Sequence, residues 1–439
     1  MLLDFQFQNY KSFLRQTTFS MRPATKQTEL SYSILNEKAG GKDIKALCSS
    51  VIYGPNASGK TNLIGALDVF QSIISRGHIQ NMPRPDSPNY ASYNLELIPN
   101  STISKEEPVC FAISFIENES IFHYSLKIKL GSFGEKNYPR EIQEEVLSID
   151  HKKVFSRNYN RLKINTQFID QNSVQQSFHE KATNLERWLQ HNLNSQELFL
   201  TGGFKSVISR DVADRVLHWF SRKLRIAFQA NLINLTPDFP NKQSGRLYID
   251  KLTNEMAKAF GIGANDVGYI YNEEMNAMQL SSHINEHITI SSDAYESVGT
   301  IRIINMFPLL AATLINGGTL FVDEFDASLH PMALMSIINI FHNNEINKRH
   351  AQLIFNTHNP IFLNRNLFRR DEIKFVDRNE TDHTSELYSL ADFGTSGKNG
   401  VRKNDDYMKN YFIDRYGAIR DLDFSPIFEE IMSKTGNEQ

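Results

Sequence analysis

With 439 residues, the chain is long enough for two or three domains and a large buried core. Its 40% hydrophobic and 22% charged residues, with 22 Gly and 14 Pro, exclude collagen-like, low-complexity and wholly disordered classes. A net charge of −3 means that nucleic-acid contact would require a local patch, and two cysteines, Cys48 and Cys110, cannot build a disulfide framework or a Cys-rich zinc site.

The first residues, Met1-Leu-Leu-Asp-Phe-Gln-Phe, lack the basic and long apolar regions of a secretory leader, which predicts a cytoplasmic protein. Ser49–Tyr53 reads as a short strand that enters a glycine-rich loop, and Leu63, Ile64, Leu67, Phe70 and Ile74 then follow at helical spacing. Val109–Ile116 and Ile121–Leu130 alternate apolar and polar residues around Glu117-Asn118-Glu119, predicting an antiparallel hairpin at the edge of the main domain. From about 138 to 285 the chain is more polar, with helical patterns at Thr183–Leu200 and Val207–Phe228 and a turn-rich stretch over Leu235–Gly245. This predicts a largely helical insertion, a candidate partner or oligomer interface. Beyond it come a helix over Val298–Ile315, a strand Thr319–Val322, a helix Pro331–Asn343 and a strand Gln352–Asn356. Strands alternating with helices imply a mainly parallel sheet covered on both faces. The uncharged run Ile303–Val322 is about as long as a bilayer span, but Asn305, Pro308, Asn316 and Gly317-Gly318 divide it into a core helix, a stop and a strand. No membrane contact is expected.

Gly54, Pro55, Asn56, Ala57, Ser58, Gly59, Lys60 and Thr61 match the phosphate-loop pattern, with Asn62 next on the helix. Backbone N–H groups and a helix N-terminus form an anion cradle, Lys60 supplies positive charge, and the Thr61 hydroxyl can ligate Mg²⁺. The second motif is Leu320-Phe-Val-Asp323-Glu324, an apolar strand ending in two carboxylates. Neighbouring strand residues face opposite sides, so Asp323 is assigned to Mg²⁺ and Glu324 to the attacking water as general base.

Phe325-Asp326-Ala-Ser328-Leu-His330-Pro331 and Asn356-Thr357-His358-Asn359-Pro360 resemble the D-loop and switch-histidine segments of ABC-type ATPases. The similar subgroup holds structural-maintenance-of-chromosomes proteins, overcoming-lysogenization-defect nucleases and abortive-infection ATPases. Ala294-Tyr295-Glu296-Ser297-Val298-Gly299-Thr300 resembles its degenerate signature motif, and Phe7–Phe13 and Arg415–Ile419 look like segments of AAA-family phage-defence ATPases. The resemblance covers both ends of the chain and lapses across roughly 138–285. It implies that Ser297 and Gly299 act in trans on a nucleotide held by another copy, that Asp326 and Ser328 belong to the D-loop, and that His358 senses the γ-phosphate. ATP would then form part of an interface whose closed state hydrolysis releases.

The expected fold is therefore α/β: a P-loop NTPase with an ABC-type head, mainly parallel sheet plus antiparallel hairpin subdomain, and a largely helical insertion. The expected divisions are 1–137, 138–285 and 286–439. No clear Q-loop glutamine follows the loop helix; Gln71 and Gln80 are both candidates. The last part of the chain, with Asp377, Asp382, Asp392, Asp405 and Asp406, offers no convincing Asp-x-Asp metal cluster, so any toxin or nuclease chemistry is expected from a separate partner. Lys205, Arg210, Arg215, Arg222, Lys223 and Arg225 form a basic stretch that either binds DNA or RNA phosphates or an acidic partner, or is a solvated face; Arg157, Arg161 and Lys163 are a weaker one. The expected function is Mg-ATP hydrolysis coupled to homo-oligomerisation and control of an effector in antiphage defence. Two rivals are a DNA-repair or chromosome-maintenance ATPase and a slow-turnover scaffold that holds a toxin.

Overall fold

The computed structural model describes residues 1–25, 27, 29–81, 97–102, 106–130, 140–169, 182–228, 247–248, 251, 254–255, 258, 266–273, 277–284, 288–327, 329–395, 400–402, 404–420 and 423–435. Its centre is a six-stranded sheet in the order Leu224–Ala227, Thr319–Val322, Gln352–Asn356, Ser49–Tyr53, Ile373–Arg378 and Ser385–Ser389. The first five strands run parallel and the last is antiparallel. Strands buried on both faces carry continuous apolar runs, and Thr319–Val322 and Ser49–Tyr53 are buried at every position.

The pleat sends alternate residues to two cores. Ile52, Phe321, Ile354 and Val376 join Leu63, Leu67, Phe70 and Ile74 of the helix Lys60–Arg76. Val51, Tyr53, Leu320, Val322, Leu353 and Phe355 face the helices Val298–Asn316 and Pro331–His342. The apolar run thus divides as expected, into a helix ending at Gly317 and a core strand. By length and composition Val298–Asn316 could cross a bilayer; here Ile301, Ile303, Ile304, Met306 and Leu310 are buried against the sheet.

A second, seven-stranded antiparallel sheet covers the other side of Lys60–Arg76, where Phe70 stacks on Phe111 with centroids 5.3 Å apart. It contains the expected hairpin, as Val109–Glu117 and Ser120–Lys129 joined by Asn118 and Glu119, both left-handed. That pair of positive φ angles suits the right-handed twist of a two-residue hairpin.

The structure corrects the reading of 138–285 as largely helical. Glu141–Ile149, Lys152–Asn158 and Arg161–Ile164 extend the seven-stranded sheet to its far edge. Their outward face is charged, which lowers the apolar content without removing the strand alternation of a half-solvated sheet. The expected helix Val207–Phe228 is interrupted. Ser209, extended at φ −151°, caps Arg210–His218, and Leu224–Ala227 pairs with Thr319–Val322 in the core sheet. The longer helical stretches among the described residues of this region are Ala182–His191 and the α- and π-helical turns over Leu200–Lys223. Leu247–Tyr248, Asp266–Asn272, Ala277–Ile284 and Ile288–Ser291 form a separate antiparallel sheet. The turn-rich Leu235–Gly245 lies outside the described residues.

Gln352 stitches the sheets together. Its Oε1 accepts from Leu2 N at 2.6 Å and Thr319 Oγ1 at 2.9 Å, while its Nε2 donates to Leu2 O at 3.1 Å and Leu47 O at 2.9 Å. Gln352→Leu would leave these buried backbone groups unpaired, each worth about 1–3 kcal/mol. We expect a loss of at least about 3 kcal/mol in denaturant unfolding; a variant within 0.5 kcal/mol of the parent, about the spread of neutral surface changes, would contradict this role.

Candidate functional site

The strand Ser49–Tyr53 ends at Gly54, where any Cβ would stand 2.2 Å from the carbonyl oxygen of Val376 on the neighbouring strand. Only glycine fits. Gly59, at φ 113°, ends the loop where a Cβ would meet Ser385 Oγ at 2.7 Å and Ser12 Oγ at 2.8 Å. Pro55, Asn56, Ala57 and Ser58 lie between them, and Ala57 is left-handed at φ 62°. Two serines brace the turn: Ser385 Oγ donates to Ser58 O at 2.5 Å, and Asn62 Nδ2 donates to Ser12 Oγ at 2.9 Å. Nothing in their local pattern marks Ser12 or Ser385 as loop supports, because each meets the loop only through the fold.

Lys60 is buried, and its Nζ donates to Gly54 O at 2.8 Å and Pro55 O at 2.9 Å. Burial pushes its ammonium down to about 8, against the opposing pull of Asp323 and Glu324. A cation held at low solvation beside backbone N–H groups is suited to a polyanion.

Asp323 and Glu324 leave the end of Thr319–Val322 side by side. Thr61 Oγ1 donates to Asp323 Oδ1 at 3.1 Å, joining two motifs 262 positions apart. Asn356, at the end of the adjacent strand, donates from Nδ2 to Asp323 Oδ1 at 2.5 Å and accepts from Glu324 N with its Oδ1. Glu324 is left-handed at φ 50°, and no hydrogen bond or ion pair engages its carboxylate among the described residues. Non-glycine residues hold such angles where the surroundings over-determine them. Here Arg302, buried on Val298–Asn316, donates to Glu324 O, and to Ala327 O at 2.6 Å. Burial lowers the Arg302 pKa, with Glu324, Asp326 and Asp323 opposing. Arg302 looks in sequence like a lone charge on an apolar helix, and only the crossing of that helix beneath the loop reveals its partners.

His358 follows the Asn356 strand end; desolvation, then the Lys60 charge, lowers its pKa, while Asp326, Glu324 and Asp323 oppose. Asp326 is half-buried in the turn after Glu324, and Ser328 lies outside the described residues. Ser297 is exposed and caps Val298–Asn316, accepting from Thr300 N at 3.1 Å, with Gly299 in the first turn. Of the two glutamines, Gln71 spends its amide on Phe220 O and Leu224 O, and Gln80 pairs with Gln196. The basic stretch does not form one free face. Lys205 and Arg210 pair with Asp214, Arg215 donates to Glu117 O, and Lys223 pairs with Glu117.

The donor set fits a magnesium nucleotide. Thr61 and Asp323 offer adjacent hard oxygens, the glycine cradle excludes side chains, and buried Ser58 Oγ has no hydrogen-bond partner among the described residues.

A family model described as an AAA domain, putative AbiEii toxin, type IV TA system, matches residues 49–364. No curated protein matches the chain. Among solved structures, the chain is similar to the SMC head domain from Thermotoga maritima at 12% identity and TM-score 0.36, covering 88% of this chain and 98% of that one. An SmcHead bound to the C-winged helix domain of ScpA gives 12% identity and TM-score 0.39, with 88% and 97% coverage. An Smc head with an extended coiled coil, bound to the C-terminal domain of ScpA derived from Pyrococcus furiosus, gives 10% and 0.37, with 88% and 96%.

The Lys60 shift has a stability consequence. Its folded pKa of about 8 lies below the unfolded 10.5, so the penalty for burying the charge is fully present below pH 8 and fades as pH rises toward 10.5. Lys60→Met should therefore unfold at higher temperature than the parent at pH 7, by on the order of 1–2 kcal/mol. The gap should close as pH rises above 8. A lower Tm at pH 7 would mean that the two carbonyl hydrogen bonds outweigh the desolvation.

Proposed function

The chain belongs to the AAA-domain family described as putative AbiEii toxin, type IV TA system, and on that premise we propose that it binds and hydrolyses Mg-ATP in the cytoplasm. Nucleotide state is coupled to homo-oligomerisation and to control of a separate effector, a nuclease or toxin, in antiphage defence. The observation that carries the reading is the contact between Thr61 of the phosphate loop and Asp323, with the Glu324 carboxylate free beside it.

In this reading the loop N–H groups and Lys60 hold the β and γ phosphates. Thr61 Oγ1 and Asp323 would hold Mg²⁺, which would supply positive charge to the phosphate oxygens. Glu324 accepts the proton of the attacking water, and Asn356 and Arg302 orient its backbone. His358, whose pKa desolvation and Lys60 lower in the ligand-free site, contacts the γ-phosphate. Ser297 and Gly299 of a second copy close the pocket, so ATP favours the assembled state and its hydrolysis weakens that preference.

Two variants test the site and separate turnover from scaffolding. Lys60→Ala should lose nucleotide binding by about a hundredfold or more, since a charge-assisted phosphate contact and the cradle fail together; parental affinity by calorimetry would overturn the site. Glu324→Gln should bind ATP normally, lose turnover by roughly 10²–10⁴-fold, and run as a larger species with ATP on size exclusion. Undiminished turnover would remove Glu324 as the base. Full biological activity from this slow variant would favour the toxin-holding scaffold.

A further inference from the structure

The far edge of the seven-stranded sheet carries a cationic cleft that the nucleotide site does not use. Lys152–Asn158 and Arg161–Ile164 pair antiparallel, with Arg161 opposite Asn158 and Lys163 opposite Ser156. Side chains of directly opposed residues share a face. The intervening pair turns inward: Leu162 is buried, and buried Arg157 donates to the carbonyls of Tyr159, Glu197 and Asn194. The outer face therefore collects the remaining cations.

Lys153, Asn158, Tyr159, Arg161 and Lys163 line a cleft of about 590 Å³. Lys152, Lys153, Arg161 and Lys163 are all exposed, and none has an ion-pair partner among the described residues. Glu144, opposite Asn158 on the next strand, pairs with Lys127 at 2.8 Å, and Glu186 accepts from Ile164 N at 2.8 Å rather than from one of these cations. No Asp or Glu occurs from 151 to 164 in a chain whose net charge is −3. At the hairpin tip Tyr159, left-handed at φ 49°, is 36% exposed.

We propose that this cleft binds single-stranded nucleic acid, its cations tracking the phosphates and Tyr159 stacking on a base. Unpaired cations alone would accept any polyanion. An aromatic face held at the rim among them, with the amides of Asn158 and Asn160 beside it, is the arrangement that grips an unpaired base as well as a backbone. The surface lies five interstrand spacings of about 4.8 Å from Leu2–Gln8, so it stands or falls independently of the phosphate loop.

The test uses the full chain and a fluorescein-labelled mixed-sequence DNA or RNA strand of about 20 nucleotides, longer than one binding footprint. Anisotropy should show saturable binding that weakens steeply between about 50 and 200 mM salt. Combined Lys153→Gln, Arg161→Gln and Lys163→Gln should weaken it at least about tenfold and flatten the salt slope by about 2, for three lost phosphate contacts. Tyr159→Ala should weaken it about fivefold or more with the slope unchanged. Parental Tm and parental ATP affinity in both variants confirm an intact fold. Absence of saturable binding by the parent chain, or parental affinity in the triple variant, would overturn the proposal. So would displacement of the probe by polyglutamate as readily as by unlabelled strand at equal charge, which would identify an acidic protein as the ligand.

Discussion

Everything in the site hangs on Asp323, which takes hydrogen bonds from Thr61 on one strand–helix junction and from Asn356 on the end of another strand. Because Gln352–Asn356 lies between the two motif-bearing strands, Asn356 faces both. Its amide holds the carboxylate of Asp323 with one end and the backbone of Glu324 with the other. Parallel strands of similar length ending at one level make this convergence possible. The sheet is the positioning device, and the loops carry the candidate groups.

The same site concentrates poorly solvated charge. Lys60 and Arg302 both have their pKa values lowered by burial, and both answer it with hydrogen bonds to backbone carbonyls. Arg302 secures the left-handed turn at Glu324 from below, while Lys60 rests on its own loop. Strain and desolvation gathered at one strand end are characteristic of sites arranged for chemistry rather than for stability.

The seven-stranded sheet has a different physical character. Its inner face joins the core that covers Lys60–Arg76, while its outer face is solvated and charged, ending in the unneutralised hairpin over Lys152–Ile164. One element therefore supports the phosphate-loop helix and also presents a surface of its own. The buried Arg157 and Glu145, fully enclosed where that sheet meets the turns after Asn194, show how strongly the two regions are packed together.

Local chemistry was enough to read the glycine turn from Gly54 to Gly59, the strand ending at Asp323 and Glu324 and the apolar core strands, because backbone curl and two-sided burial each demand particular residues at short spacing. The hairpin around Asn118 and the stop at Gly317 were legible for the same reason. Strand pairing was not: Glu141–Ile164 looked too polar to be sheet because half of it faces water, and Leu224–Ala227 became a strand through a partner nearly a hundred residues away. Nor could spacing disclose that Arg302, Ser12 and Ser385 buttress the loops or that Arg215 and Lys223 of the basic stretch reach across to Glu117. Those contacts join residues remote in the chain, and only the packing of sheet on helix brings them within hydrogen-bonding reach.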